Sequence, residues 1–444
     1  MKKYPGVFLT YFDLKNHELT RKLAEDLYAS SSSISLKLMI GKYPAFIVYC
    51  DELLAELQKI RTLNQAICSI SDSLPGVALR QFIRQAMIEE IHQNNEMENI
   101  HSTRKEIQDE IRVIQNGKKG KRFDGMIRKY ELLLAHKSIA MSSCQDIRNL
   151  YDSFVLEEVK KEDPSDVPDG LYFRKKPVSV ARNNTIIHEG VYPESVLNET
   201  MEHALAFLNN NDYDPLIRIA AFHYLFGYIH PFYNGNGRMT RFISSYCLSA
   251  EHIHLLVSLR LSFVIKSHRA QYYKMFKNTN DHRNYADMTR FVVEFLGFVR
   301  EAGEQVFSYL SEKKELLDHY AEIIHNLNLD QDTEKLLYIL VQASICEDTS
   351  LITVELEIIT KMSYYLLKKH LADIEPWLII SKSGKYQAYR VDLQKLDESE
   401  NNGTLVDQPA TSKRIGIAKG KFKAPADFDA NNEEAAAMLV EGNL

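Results

Sequence analysis

Between residues 17 and 115 apolar side chains recur at helical spacing. Phe82, Ile83, Met87, Ile88 and Ile91 make one stripe, and Ile100, Ile107, Ile111 and Ile114 make the next. The region is therefore expected to be a series of amphipathic helices. The polar stretch HQNNEMEN between the stripes contains no Gly or Pro, so nothing in it is expected to break the helix. NGKKGKR, residues 116–122, reads as a solvated basic connector. The pattern changes over 162–194: EDPSDVPDG is rich in turn formers, and β-branched residues flank Arg182-Asn183-Asn184, which predicts a hairpin near Val178–Ile187. Helical spacing returns with SVLNETMEHALAFLNN and DPLIRIAAFHYLFGYIH and continues to about residue 322.

A separate unit is read at 330–397. TEKLLYILVQAS, TVELEIITKM and SYYLLKKHLADI are three helical stretches, and WLIIS with YQAYRVDL predicts a hairpin closed by Lys382-Ser383-Gly384-Lys385. Three helices and a β-wing resemble a winged-helix domain. From 398 to 444 Asn, Gly, Ala and charged residues dominate, so a flexible or partner-binding tail is expected. The fold class is mainly α.

Composition narrows the picture. The 444 residues are 45% apolar and 26% charged, an ordinary soluble protein with material for several domains. A net charge of −6 gives no ground for general polyanion binding. No run of about 18 apolar residues exists, which argues against a membrane partner, and the N-terminus is a poor secretory signal. Cys50, Cys68, Cys144, Cys247 and Cys346 are odd in number, scattered and without a CxxC pair. They suit reduced thiols in a cytoplasmic protein and disfavour a zinc ribbon or a disulfide framework.

Candidate chemistry concentrates in His230-Pro-Phe-Tyr-Asn-Gly-Asn-Gly-Arg-Met-Thr-Arg241. Pro231 disfavours helical geometry at His230, so a helix is expected to end there. A loop with Gly235 and Gly237 follows, then a new helix. Loop glycines let backbone approach a ligand closely, and a helix start offers unpaired N–H groups at the positive end of its dipole. Arg238 and Arg241, three apart on that helix, can add guanidinium forks for phosphate oxygens. His230 at the rim can take a proton near neutral pH. From the residues alone this is a nucleotide-phosphate site with a general base. His223, seven residues before His230, is too far along the helix to share a metal with it and reads as a packing residue.

The string resembles the Fic (filamentation-induced-by-cAMP) signature HPFx(D/E)GNGRxxR at every specified position but one. The resemblance covers roughly residues 80–310 and implies a Fic-type helical core, 116–325, with a β-hairpin flap at about 177–189. It implies a protein adenylyltransferase that moves AMP from ATP to a Ser, Thr or Tyr hydroxyl of a target protein. By resemblance His230 would deprotonate that hydroxyl. Gly235, Asn236 and Gly237 would hold the α- and β-phosphates, Arg238 phosphates further along and Arg241 the γ-phosphate. Tyr272 and Tyr273 are candidate adenine contacts, although adjacent tyrosines on a helix more often divide between core and surface. The family's acidic ligand for Mg or Mn is Asn234 here. Three readings stay open: a slower AMP transferase, a site using another ion or donor, and a non-catalytic nucleotide binder.

Many Fic proteins carry an inhibitory helix with the pattern (S/T)xxxE(G/N), whose Glu pairs with the second Arg. Asn94-Asn95-Glu96-Met97-Glu98-Asn99 matches in part, so an inhibitory segment near 94–99 is expected within the helical region 1–115, with Glu98 pairing Arg241. The C-terminal unit has mixed charge, with Glu355, Glu357, Asp373 and Glu375 beside Lys361, Lys368 and Lys369. That favours protein docking, as a homodimer or in target recruitment, over DNA binding. The tail KRIGIAKGKFKAPADFDANNEEAAAMLVEG is similar to the C-terminal segments of some bacterial antitoxins, and a bacterial source is implied.

Overall fold

Pro215–Ile229 and Asn236–Ala250 are helices whose residues are buried almost all round, which places them at the centre of a helical assembly. The first starts where Asp214 accepts the Leu216 N–H and Pro215 occupies the first helical position. It ends at His230, which takes the left-handed conformation at φ 51° ahead of Pro231. Around this pair pack Glu194–Leu208 and the 38-residue helix Thr289–Asn326, which also runs along Asp51–Ser73. The computed structural model describes residues 4–115, 117–182, 185–345, 350–383 and 386–403.

Two expectations for the N-terminal region are corrected. Residues 33–48 form an antiparallel hairpin, Ser33–Ile40 with Tyr43–Val48, where a run of helices was expected. Ile34, Leu36, Leu38 and Ile40 alternate and are all buried, a period of two that fits a strand with one covered face. The helix expected to continue through HQNNEMEN stops at Glu96, and the next begins at Arg104. The stop is a Schellman-type end: Asn99 sits at φ 56°, the Ile100 N–H reaches the Asn95 carbonyl, and the Asn99 N–H reaches that of Glu96. Asparagine tolerates the left-handed region, so it does here what a glycine was thought necessary for.

The expected hairpin near 177–189 is present as Ser179–Arg182 and Thr185–Glu189, paired Ser179 with Glu189 and Arg182 with Thr185. Its turn, Asn183-Asn184, lies outside the described residues. The C-terminal unit has helices Gln331–Ser344, Thr353–Thr360 and Tyr364–Asp373 and the hairpin Leu378–Ser383 with Tyr386–Val391. A short strand missed in the sequence, Leu351–Ile352, pairs with the outer side of Tyr386–Val391. Leu336, Leu340, Leu356, Leu367 and Tyr389 fill its core. Gly384-Lys385, Cys346 and residues 404–444 fall outside the described part, so the wing turn, the fifth cysteine and most of the tail do too. The other four cysteines are free thiols. Among the described residues no helix is long and apolar enough to cross a membrane.

Candidate active site

The turn between the two central helices is held from inside. The Asn236 side chain accepts the Phe232 N–H at 3.0 Å and donates to the Phe232 carbonyl at 2.8 Å. Phe232 stacks on Tyr151 with centroids 3.7 Å apart, and the Tyr151 hydroxyl donates to the Asn234 carbonyl. Gly235 is at φ 83°, and a side chain there would press on Val155 and Tyr151. With the Asn236 side chain occupied by Phe232 and the Gly235 N–H by Asn234 Oδ1, the polar groups left to 236 and 237 at the start of Asn236–Ala250 are their backbone N–H groups.

Glu98 covers that helix start. A Cβ on Gly237 would run into the Glu98 carboxylate, so glycine is what lets the carboxylate lie on the backbone. Glu98 Oε1 accepts from an Arg241 terminal nitrogen at 2.7 Å. Arg241 is buried, and Asn94 shares it with Glu98: Nε donates to Asn94 Oδ1 at 2.7 Å, and the terminal nitrogen that meets Glu98 also donates to the Asn94 carbonyl at 3.0 Å. Burial pushes the Glu98 carboxyl up, but Arg241 outweighs this and leaves it below its ordinary value. Arg241 is shifted the other way, burial being outweighed by Glu98, so the pair is ionised.

Arg238, fully buried, lies between two carboxylates, Glu158 and Glu162, each at 3.4 Å. Burial pushes Glu158 up to about 7, partly offset by Arg238. Asn234 turns its Oδ1 to the Gly235 N–H at 2.6 Å. Its amide nitrogen faces Glu162 at 3.4 Å and Asp166 at 3.3 Å.

His230 is half-buried, and its pKa is pushed down to about 4 by desolvation, then by His188 and Arg174. It is therefore a neutral imidazole at pH 7 and can accept a proton. Its backbone is clamped by Arg174, a buried cation that donates to the carbonyls of His230, Val191 and Lys176 at 3.0, 2.9 and 2.8 Å. Carbonyls at a helix C-terminus suit such a cation. The hairpin is tied to the same place by His188, whose Nε2 lies 2.5 Å from the Tyr228 carbonyl.

The tertiary structure thus gathers His230, Asn234, Gly235, Gly237, Arg238, Arg241 and Glu98 around one helix start. Tyr272 is buried with its hydroxyl 2.8 Å from His223 Nε2, while Tyr273 is 40% exposed beneath Arg269. His223 also meets Ser244, and burial holds its pKa near 3, in keeping with a packed core histidine. Sequence reasoning missed Arg174, Glu158 and Glu162, which carry no local signal, and the role of Asn94. It also missed Glu90, wholly buried one turn before Asn94. Glu90 takes hydrogen bonds from Ser262, Ser245 and Tyr130.

Residues 142–248 match the Fic/DOC family model. The chain is also similar to three solved structures. A Fic family protein from Desulfovibrio desulfuricans G20 is 20% identical over 79% of this chain and 97% of its own, with a TM-score of 0.44. Fic-1 (residues 134–508) from C. elegans is 17% identical over 59% and 74%, with a TM-score of 0.41. A Fic domain containing signaling protein from Bacteroides thetaiotaomicron VPI-5482 is 15% identical over 57% and 97%, with a TM-score of 0.40. The stretch that matches the Fic/DOC family model runs from the helix Cys144–Phe154 to the helix Asn236–Ala250 and takes in the hairpin and the turn between them.

Proposed function

We propose that this chain is a protein adenylyltransferase held off by its own Glu98. It moves AMP from ATP to a Ser, Thr or Tyr hydroxyl of a target protein. The family match supports a Fic-type transferase in general. The observation that carries the finer reading is the Glu98–Arg241 ion pair lying over Gly237. A carboxylate placed on a phosphate-binding helix start repels a phosphate and occupies the cation that would receive it.

In the reaction the neutral His230 takes the proton of the target hydroxyl, whose oxygen bonds to the α-phosphorus. The bond from that phosphorus to the oxygen bridging it to the β-phosphate breaks, and pyrophosphate leaves. The N–H groups of 236 and 237, that of Gly235 once the Asn234 amide turns, and the Arg238 guanidinium hold the phosphates, and Arg241 takes the γ-phosphate once Glu98 withdraws. The hairpin Ser179–Glu189 receives an extended target segment as an added strand.

The residues around Asn234 fit a divalent ion: two carboxylates, Glu162 and Asp166, flank an amide whose rotation exchanges its nitrogen for its oxygen. When bound, Mg or Mn supplies positive charge against the phosphate oxygens.

Label transfer from α-³²P-ATP with Mg or Mn tests the reading. Wild type is expected to label itself weakly, Glu98→Gly at least about tenfold more, and Glu98→Gly/His230→Ala not at all. A silent Glu98→Gly that still binds ATP would favour a second reading: a nucleotide-binding regulatory protein acting through its winged-helix-like C-terminal unit. Asn234 in place of a carboxylate, and Arg238 held between Glu158 and Glu162, are the observations on that side. Labelling from a different donor would point to transfer of another phosphate-containing group.

A further inference from the structure

A cavity of about 1190 Å³ opens on the far side of the helix Gly76–Glu96 from Arg241. Gln81, Arg84, Gln85 and Ile88 of that helix line it at helical spacing. Its other walls come from the helices Arg104–Gln115 and Thr289–Asn326 and from the strands of the C-terminal unit. Among the described residues six cationic and three carboxylate side chains line it, in a chain whose net charge is −6. The excess of positive charge is local.

The carboxylates have partners of their own, and two of them offset the cavity's Arg104 and Arg112. Glu89 takes both arms of Arg104 at 2.5 and 2.9 Å, Glu355 caps the Ile352 N–H at 2.9 Å, and Asp109 lies 3.5 Å from Arg112. Arg260 donates to Gln305 and lies over the Phe263 ring at 3.5 Å, neutral partners both. Arg84 makes no hydrogen bond or close ion pair with another described residue. Its Nε is shielded from solvent and unsatisfied. Burial and the neighbouring Arg112 both disfavour its charge, and Glu355 offsets them only in part. A half-buried guanidinium without a hydrogen-bonded anion costs stability that a bound anion would return.

We infer that this cavity binds a phosphorylated small molecule. Arg84 and Arg260 take the phosphate, and Phe82, Ile88, Tyr309 and Leu351 cover its apolar part. Guanidinium forks match phosphate oxygens, and the volume suits a ligand of nucleotide size. The site shares the helix Gly76–Glu96 with Asn94 but none of the residues around His230. It therefore stands or falls apart from the adenylyltransferase reading.

The test is calorimetric titration of the full chain with inorganic pyrophosphate. Wild type should bind, Arg84→Gln and Lys105→Glu should each bind at least about tenfold more weakly, and Arg241→Gln should bind as wild type does. Lys105 is an exposed wall residue whose replacement leaves the core intact. Without ligand, Arg84→Met should melt higher than wild type, because it removes an unpaired buried charge. Pyrophosphate should raise the melting temperature of wild type but not of Arg84→Met. The assignment is overturned if wild type does not bind, if Lys105→Glu and Arg84→Gln bind normally, or if Arg84→Met melts lower without ligand. Binding lost only in Arg241→Gln would place the ion at the Gly235–Gly237 turn and overturn it equally.

Discussion

The Glu98 carboxylate meets the Arg241 guanidinium at 2.7 Å across 143 positions of chain, and Asn94 takes the Nε and the same terminal nitrogen of that guanidinium. One buried cation of the helix Asn236–Ala250 is thus held by a single preceding segment. What frees Arg241 should therefore also cost the ligand-free protein stability.

Glu98→Gly leaves Arg241 a buried cation with Asn94 alone. The ligand-free variant is expected to lose about 2 kcal/mol, less than for a fully buried pair because Glu98 is 29% exposed. ATP, by giving Arg241 a new anion, should raise the melting temperature of Glu98→Gly more than that of wild type. Equal shifts in thermal denaturation would contradict this.

Asn94→Ala removes the acceptor for Arg241 Nε and keeps Glu98. Leaving that buried donor unpaired costs about 1–3 kcal/mol. With the guanidinium held only by Glu98 and the main-chain carbonyl of residue 94, self-labelling should fall between wild type and Glu98→Gly. Labelling at the wild-type level would show that Asn94 has no part in holding Arg241 closed.

The pH dependence of Glu98→Gly should reflect a histidine whose pKa is lowered to about 4. His230 stays neutral as pH falls from 8 to about 5, so labelling should show no loss centred on the ordinary histidine value near 6.5. The same depression means that the unfolded chain binds more protons than the native one between about 6.5 and 4. His230 therefore contributes stability above that window and loses it as pH falls through it. A labelling midpoint near 6.5 would mean that the imidazole is not desolvated as described.

Glu90 shifts the opposite way, burial raising it to about 7 against the hydrogen bonds from Ser262. An acid raised in the native state binds its proton there between about 4.5 and 7 while the unfolded chain has released it. Its contribution is complete below that window and lost as pH rises through it. Glu90→Gln keeps the shape and does not titrate. The melting temperature of wild type relative to Glu90→Gln should therefore fall between pH 5 and pH 8, and a constant difference would exclude the shift.

Asn234→Asp would place a third carboxylate within reach of Glu162 and Asp166, at the 3.4 and 3.3 Å now spanned by the amide. Without metal the variant should melt lower than wild type by like-charge repulsion, and Mn should raise it while EDTA lowers it again. In the Glu98→Gly background the same change should raise labelling several-fold. A melting temperature indifferent to Mn would show that these carboxylates do not converge on an ion.

Legibility in the sequence followed the range of the physics. The turn at 230–241 was readable because its causes are local: Pro231 stops a helix, Gly235 permits a positive φ, and a helix start follows by necessity. The strand at 33–40 carried its period of two in Ile34, Leu36, Leu38 and Ile40, yet lay among helical stripes and was read with them. The end of the helix at Glu96 was hidden, since an asparagine takes the left-handed position as a glycine would and only the capped end shows it.

Spacing along the chain set which residues could form helices, turns and the helix start after Gly235, because those depend on backbone conformation within a few residues. The Glu98–Arg241 contact itself was suggested only by resemblance. Which charge meets which was decided by packing: Asn94 on Arg241, Glu158 and Glu162 on Arg238, and Arg174 on the carbonyl of His230. Buried charges must find partners wherever the packed chain delivers them, and no periodicity in the sequence records where that is.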